Sequence, residues 1–137
     1  MIRRVLIGTA AIAAAMASPA SAGPEEANLW AVTENGVDGL LIDEGTGDAW
    51  LTGSCLKPLA RGQKSADAWQ SHTVELVWIG RSRLVLDQTF TLSTAADMPT
   101  LTVESANRGG PQTFPVTVVE NCQSIPQCRT LVNKPIC

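Results

Sequence analysis

Apolar residues in this chain recur mainly at every second position, in short runs separated by Gly, Pro, Asn and Asp. A period of two puts alternate side chains on opposite faces of an extended backbone, so it predicts β-strands. Leu29-Trp30-Ala31-Val32-Thr33 reads as a first strand and 37–42 as its return. Between them stands Asn35-Gly36, the dipeptide favoured in a type I′ hairpin turn, where both central residues need positive φ. That turn sets Trp30 opposite Leu41 and Val32 opposite Gly39. Ala49-Trp50-Leu51-Thr52 reads as a third strand. In 73–79, Val74, Leu76 and Trp78 share a face, and Gly80-Arg81-Ser82 reads as a turn. Leu84, Leu86, Phe90 and Leu92 share the next face, with Gln88 as an interruption that suggests a bulge. Leu101 and Val103, then Phe114, Val116 and Val118, complete the pattern, and Pro115 marks a strand start or an edge position. The stretch 107–111 is a loop by composition, 25–28 a polar lead-in, and 65–70 the one candidate for a helical turn. About seven short strands without a long helix predict an all-β domain, a small antiparallel sandwich or barrel.

The amino terminus does not belong to that pattern. Arg3 and Arg4 precede an apolar run from Val5 to Ala17, and Ala20-Ser21-Ala22 has the small-x-small form that signal peptidase reads. The run is shorter than a membrane-spanning helix needs. Residues 1–22 are therefore expected to be a signal peptide and 23–137 a single exported domain, secreted or periplasmic, with no transmembrane segment after cleavage. The 115 residues that remain carry 8 Lys and Arg against 13 Asp and Glu. An acidic domain argues against nucleic acid as a partner.

An oxidising compartment changes the reading of Cys55, Cys122, Cys128 and Cys137. An even count in an exported domain implies two disulfides, and these gaps suit zinc poorly. Three connectivities exist. The expected one is Cys55–Cys122 with Cys128–Cys137, the first closing a long loop and the second pinning a tail over 121–137.

Candidate chemistry adds little. Asp43-Glu44-Gly45-Thr46-Gly47-Asp48 looks acidic enough for calcium, but its glycines stand where an EF-hand loop needs ligands. A turn with positive φ at Gly45 and Gly47 is the expectation, and no metal site or cofactor is predicted. His72 is the only histidine, the nucleophile-elbow motif Gly-x-Ser-x-Gly is missing, and oxidised cysteines offer no thiolate. No catalytic residue is assigned.

Charge is distributed unevenly. Residues 23–56 hold seven acids and no base, whereas 57–83 hold Lys57, Arg61, Lys64, Arg81 and Arg83 against Asp67 and Glu75. The segment 57–71 also reads as an unusually long connection, of the kind that often carries function. Trp69 near its end supplies a large amphipathic ring. Lys57, Arg61, Lys64, Trp69, Arg81 and Arg83 are thus the predicted partner-binding residues, set against the alternative that these bases pair with the acidic hairpins. By alternation, Trp78 and Trp30 are expected in the core. Trp50 is expected to be more exposed than Leu51, and could join Trp69 as a stacking platform.

One local likeness remains. Cys122-Gln123-Ser124-Ile125-Pro126-Gln127-Cys128-Arg129 resembles the disulfide-closed reactive loop of Bowman–Birk protease inhibitors. It lacks one residue before Ser124 and one proline, Gln123 replaces the basic specificity residue, and the family's cysteine framework is missing. The likeness implies only a short, stiffened loop preorganised for binding. The sequence therefore points to an exported, monomeric or weakly associating, non-enzymatic binding domain: an inhibitor, adaptor or accessory factor for another exported protein or glycan. A small hydrolase using a carboxylate pair or His72, and an envelope structural component, are the alternatives.

Overall fold

The structure, a computed structural model, describes residues 23–36, 38–94, 97–106 and 109–137. The expected signal peptide, Val37 of the expected second strand, and Asn107 and Arg108 of the expected loop lie outside the described residues.

Among the described residues nine strands run in chain order: β1 (Leu29–Thr33), β2 (Gly39–Ile42), β3 (Ala49–Thr52), β4 (Lys57–Pro58), β5 (Gln63–Lys64), β6 (Ala68–Ile79), β7 (Ser82–Ser93), β8 (Thr100–Ser105) and β9 (Gln112–Glu120). A 3-10 turn (Pro24–Glu26) precedes them. A second one (Cys122–Ser124) leads into the helix α1 (Pro126–Val132). The strands form one antiparallel sheet in the order β4-β3-β2-β1-β9-β8-β7-β6-β5, curled into a half-barrel. The all-β class and two disulfides are as expected, but there are nine strands rather than seven, and the described residues form no second, facing sheet.

The two extra strands come from the segment read as a long loop. β4 pairs with β3, and β5 pairs with β6. Between them Leu59 N and Gly62 N donate to Ala49 O and Gly47 O, while Ser71 Oγ donates to Ala60 O at 2.6 Å. The two edges of the sheet are thus the two ends of one segment, 57–64, which hydrogen-bonds to both. An edge strand is a template for unwanted pairing, and this segment covers both edges at once. The helical turn expected at 65–70 is overruled for the same reason: from Ala68 onward the backbone is committed to the β6 ladder.

The first hairpin has the expected register, Trp30 opposite Leu41 and Val32 opposite Gly39. Its turn differs. Gly36 has φ +74°, but Asn35 is not left-handed, so this is not type I′. Instead Thr33 N donates to Asp38 O, and Asn35 Oδ1 accepts from Thr33 Oγ1 and Asp38 N. β6 and β7 pair without a break from Ala68–Ser93 to Ile79–Ser82, so Gln88 simply faces Thr73 and no bulge forms. Pro115 lies within β9 where the strand changes partner, β8 up to Pro115 and β1 from Val116. A missing N–H costs least at such a changeover.

The concave side encloses the main core, in which Leu29, Ala31, Leu40, Ile42 and Ala49 meet Trp69, Phe90, Leu92, Leu101 and Val116. On the outer side, Leu41, Trp50 and Leu56 are covered by Cys122, Cys128 and Leu131 of the carboxyl-terminal segment. β2 is therefore buried at all four positions, one face in each core. That second core explains a correction: Trp50 is buried and Leu51 only half-buried, because α1 sits on the face that alternation assigned to solvent.

The disulfides are Cys55–Cys137 and Cys122–Cys128, not the expected pairing. The tail lies beside 55–56, with Leu56 N donating to Pro135 O and Cys137 N to Leu56 O. That brings the Cys137 and Cys55 Cα atoms to 5.2 Å. The helix meanwhile turns Cys128 back onto Cys122. The segment that resembled an inhibitor loop is consequently a 3-10 turn and helix with both cysteines fully buried, rather than an extended reactive loop. No helix among the described residues is long and apolar enough to cross a membrane.

Candidate functional site

The basic segment does not form a free cationic patch. Lys57 Nζ lies 3.0 Å from a Glu75 carboxylate oxygen. Lys64 pairs with Glu44. Arg61 holds Asp48 with two nitrogens, at 2.9 and 3.3 Å, and this hydrogen-bonded ion pair raises the guanidinium pKa above its ordinary value. Two of these three bonds tie the segment to the acidic turn at 43–48. The turn uses its own oxygens internally: Asp43 Oδ1 accepts from Gly45 N and Thr46 N, and Thr46 Oγ1 donates to Asp48 Oδ2. Gly47 has φ +86°, whereas Gly45 is not left-handed. Among the described residues, no group of His, Cys, Asp and Glu is arranged to hold a metal ion.

Trp69 is not on the surface. It is 3% exposed in the main core, its Nε1–H donates to Gly47 O at 3.2 Å, and a Cβ on Gly62 would overlap its indole. Trp69 and Ser71 take the concave face of β6, so His72, Val74, Leu76 and Trp78 take the outer one. The ring expected to dock a partner is buried, and the ring expected in the core, Trp78, is 65% exposed.

The cause is the length of the β6–β7 hairpin. Each strand has twelve residues, but β8 pairs with β7 only from Gln88 to Ser93, and β5 reaches β6 only at Trp69 and Gln70. Lys57 extends the cover on β6 as far as Glu75. Among the described residues, 76–85 pair only with each other, as a two-stranded arm projecting from the half-barrel around the turn at Gly80 (φ +63°). Val74 and Leu76 are both 57% exposed on its outer face, beside Trp78, and Val85, directly across from Leu76, is 45% exposed. Ile79 at the tip is also exposed. The four outer side chains make on the order of 500 Å² of contiguous apolar surface, near the upper end for a monomer. At the far end of the same arm Arg81 and Arg83 are exposed and form no ion pair among the described residues.

Of the six predicted partner-binding residues, then, only Arg81 and Arg83 sit together on an unpaired surface. Lys57, Arg61 and Lys64 are spread along the bridging segment and neutralised, and Trp69 lies inside. Sequence reasoning missed Val74, Leu76, Trp78 and Val85. The available signal was that 73–92 contains twenty residues with one two-residue turn, a hairpin longer than any neighbouring strand could cover.

Two other places offer chemistry. His72 Nε2 lies 2.6 Å from Asp87 Oδ1. The pair is open to solvent, and among the described residues no hydroxyl is hydrogen-bonded to the imidazole, so it lacks the nucleophile that a hydrolytic triad needs. A cavity of about 210 Å³ opens beside Trp69 and Leu92, with Glu44, Lys64 and Glu120 also in its lining. That is smaller than the roughly 300–1,000 Å³ of ordinary ligand pockets, and its Lys64 and Glu44 already satisfy each other. No family model matches this chain. No curated protein and no solved structure matches it either.

Proposed function

We propose that this protein is an exported, non-enzymatic binding domain, an adaptor or accessory factor whose contact element is the β6–β7 arm. One observation carries the reading: Val74, Leu76, Trp78 and Val85 line up on an arm with nothing packed on it among the described residues. Large apolar side chains are the costliest groups to leave in water, at about 25 cal/mol per Å². The half-barrel does not need them there, because its own core closes at Phe90 and Leu92. Trp and Arg, both present on the arm, are the side chains that most often dominate binding energy. The disulfides suit an oxidising, exported setting. A hydrolase is the weaker reading, since His72–Asp87 has no nucleophile hydrogen-bonded to it among the described residues.

The test is site-specific crosslinking. A photoreactive residue placed at position 76 or 78 is expected to give discrete adducts with a protein in the exported fraction. One placed at Thr130, an exposed position of α1 on the outer side of β2 and β3, should give none. Diffuse or absent labelling from both arm positions would reject the arm as a contact element.

A further inference from the structure

Resting on that reading of the arm, we infer that its occupant is a second copy of this chain, bound outer face to outer face and antiparallel across a two-fold axis. The outer face carries an ordered strip. At the tip stand Trp78 and, directly across from it, Arg83; in the middle, Leu76 and Val85; at the base, Val74 and Asp87. Next comes His72, whose Nε2 lies 2.6 Å from one oxygen of that same Asp87, with Thr89 across from it, and Thr89 is opposite Glu104 on β8. The strip is therefore cationic at its tip, apolar in its middle and anionic at its base.

Such a strip is complementary to itself when reversed. A two-fold axis through the Leu76–Val85 pair lays Leu76 and Val85 on their own copies. Pairs two residues away, roughly 7 Å along the strand, then meet their counterparts. Trp78 falls on Val74 of the second copy, and Arg83 on its Asp87. Arg81 reaches toward Thr89 and Glu104 of that copy. Each contact occurs twice. Parallel docking, tip to tip, would instead set each Arg83 over Trp78 of the other copy, gather four arginines at one end and leave each Asp87 over a Val74, so only the antiparallel arrangement pairs the opposite charges.

Area is sufficient as well. Two strips of on the order of 500 Å² bury about 1,000 Å² of apolar surface before the charged rim is counted, the lower bound for a specific interface. A bilayer fits less well: the arm's backbone edges, from Leu86 toward the tip on β7 and beyond Glu75 on β6, carry N–H and C=O groups with no partner among the described residues, which hydrocarbon cannot satisfy.

The experiment is sedimentation equilibrium of the oxidised protein over a wide concentration range, with circular dichroism as a check on folding. Wild type should approach twice the monomer mass, and Leu76→Ser with Trp78→Ser should remain monomeric. Arg83→Glu and Asp87→Arg should each weaken the dimer by roughly 10- to 100-fold, because each creates two like-charge contacts. Mixing these two variants should restore a 1:1 heterodimer, since the two substituted side chains then attract each other in one contact and the native Arg83–Asp87 pair re-forms in the other. The double variant in one chain should dimerise by itself. A wild type that stays monomeric, or a mixture that fails to associate while both variants are folded, overturns the inference. If that monomer still gives arm-dependent crosslinks to a different protein, the occupant is foreign and the binding reading stands. If it crosslinks to nothing, both fall.

Discussion

Trp69 and Trp78 lie on the same strand and differ in every physical respect, which makes their replacement a quantitative test of the fold. Trp69 is 3% exposed, packs among Phe90, Leu92 and Ile42, and covers Gly62 so closely that a Cβ there would strike the ring. Trp69→Ala removes a buried aromatic from a site framed by strands on both sides, where collapse is limited. The cost should be about 3–5 kcal/mol. Trp69→Phe divides the effect. It loses the Nε1 bond to Gly47 O and part of the ring, but Gly62 N still donates to that carbonyl at 2.8 Å, so no buried acceptor is orphaned. A loss of about 1–2 kcal/mol is expected. Trp78→Ala removes a ring that is mostly solvated in the monomer and should change dilute-solution stability by at most about 0.5 kcal/mol. Urea melts followed by circular dichroism give the differences directly. In heating, each kcal/mol corresponds to roughly 4 °C for a domain of this size. If Trp69→Ala cost under about 1 kcal/mol, or less than Trp78→Ala in dilute protein, the assignment of β6 faces would be refuted.

Three shorter expectations follow. Peptide mapping of the oxidised mature protein should find Cys55 joined to Cys137 and Cys122 to Cys128. Replacing the first pair with Ser should cost about twice as much as replacing the second, roughly 4.5 against 2.5 kcal/mol in the chain-entropy model, because the sequence separations are 82 and 6. A Cys55–Cys122 peptide would contradict the fold. Gly39→Ala should destabilise by about 1–3 kcal/mol, since its Cβ would fall on the Ala31 carbonyl in the adjacent strand; an unchanged melt would mean β1 and β2 are further apart than described. Millimolar calcium should leave the melting temperature where a chelator leaves it. The turn oxygens at Asp43 and Asp48 are already engaged, and a shift of several degrees would show a bound ion.

Strand positions were legible because a period of two survives any tertiary arrangement. The first hairpin shows how far that goes: its register followed from Thr33 and Asn35-Gly36 even though the turn type did not, because facing residues depend on the number of residues between strands. What alternation cannot say is which of the two faces is inside. Trp50 looks like a solvent-facing position until the carboxyl-terminal helix is laid over it, and nothing local to β3 encodes that helix. Cysteine pairing failed for the same reason. The parallel contact of 55–56 with 135–137 and the short turn at Cys122 are tertiary facts, and loop length alone carries no information about them.

The basic residues and the tryptophans expose a more general limit, and it leads back to function. Counting charges along 57–83 joined Lys57, Arg61 and Lys64 to Arg81 and Arg83 as if sequence proximity were spatial proximity. In the fold, the first three lie on the bridging segment, where their acids are waiting. The last two are carried away from the body by a hairpin longer than its neighbours. The same projection exposes Trp78, whose alternation with Val74 and Leu76 is what a core strand would show. A projecting hairpin with one apolar face and a core hairpin have identical sequence patterns, because both are built to be covered. The difference is whether the cover comes from the same chain. Among the described residues the cover ends at Ala106, which donates to Asp87 O, on one side and at Lys57 on the other. The surface left over, cationic at its tip and anionic at its base, fits its own reversed image.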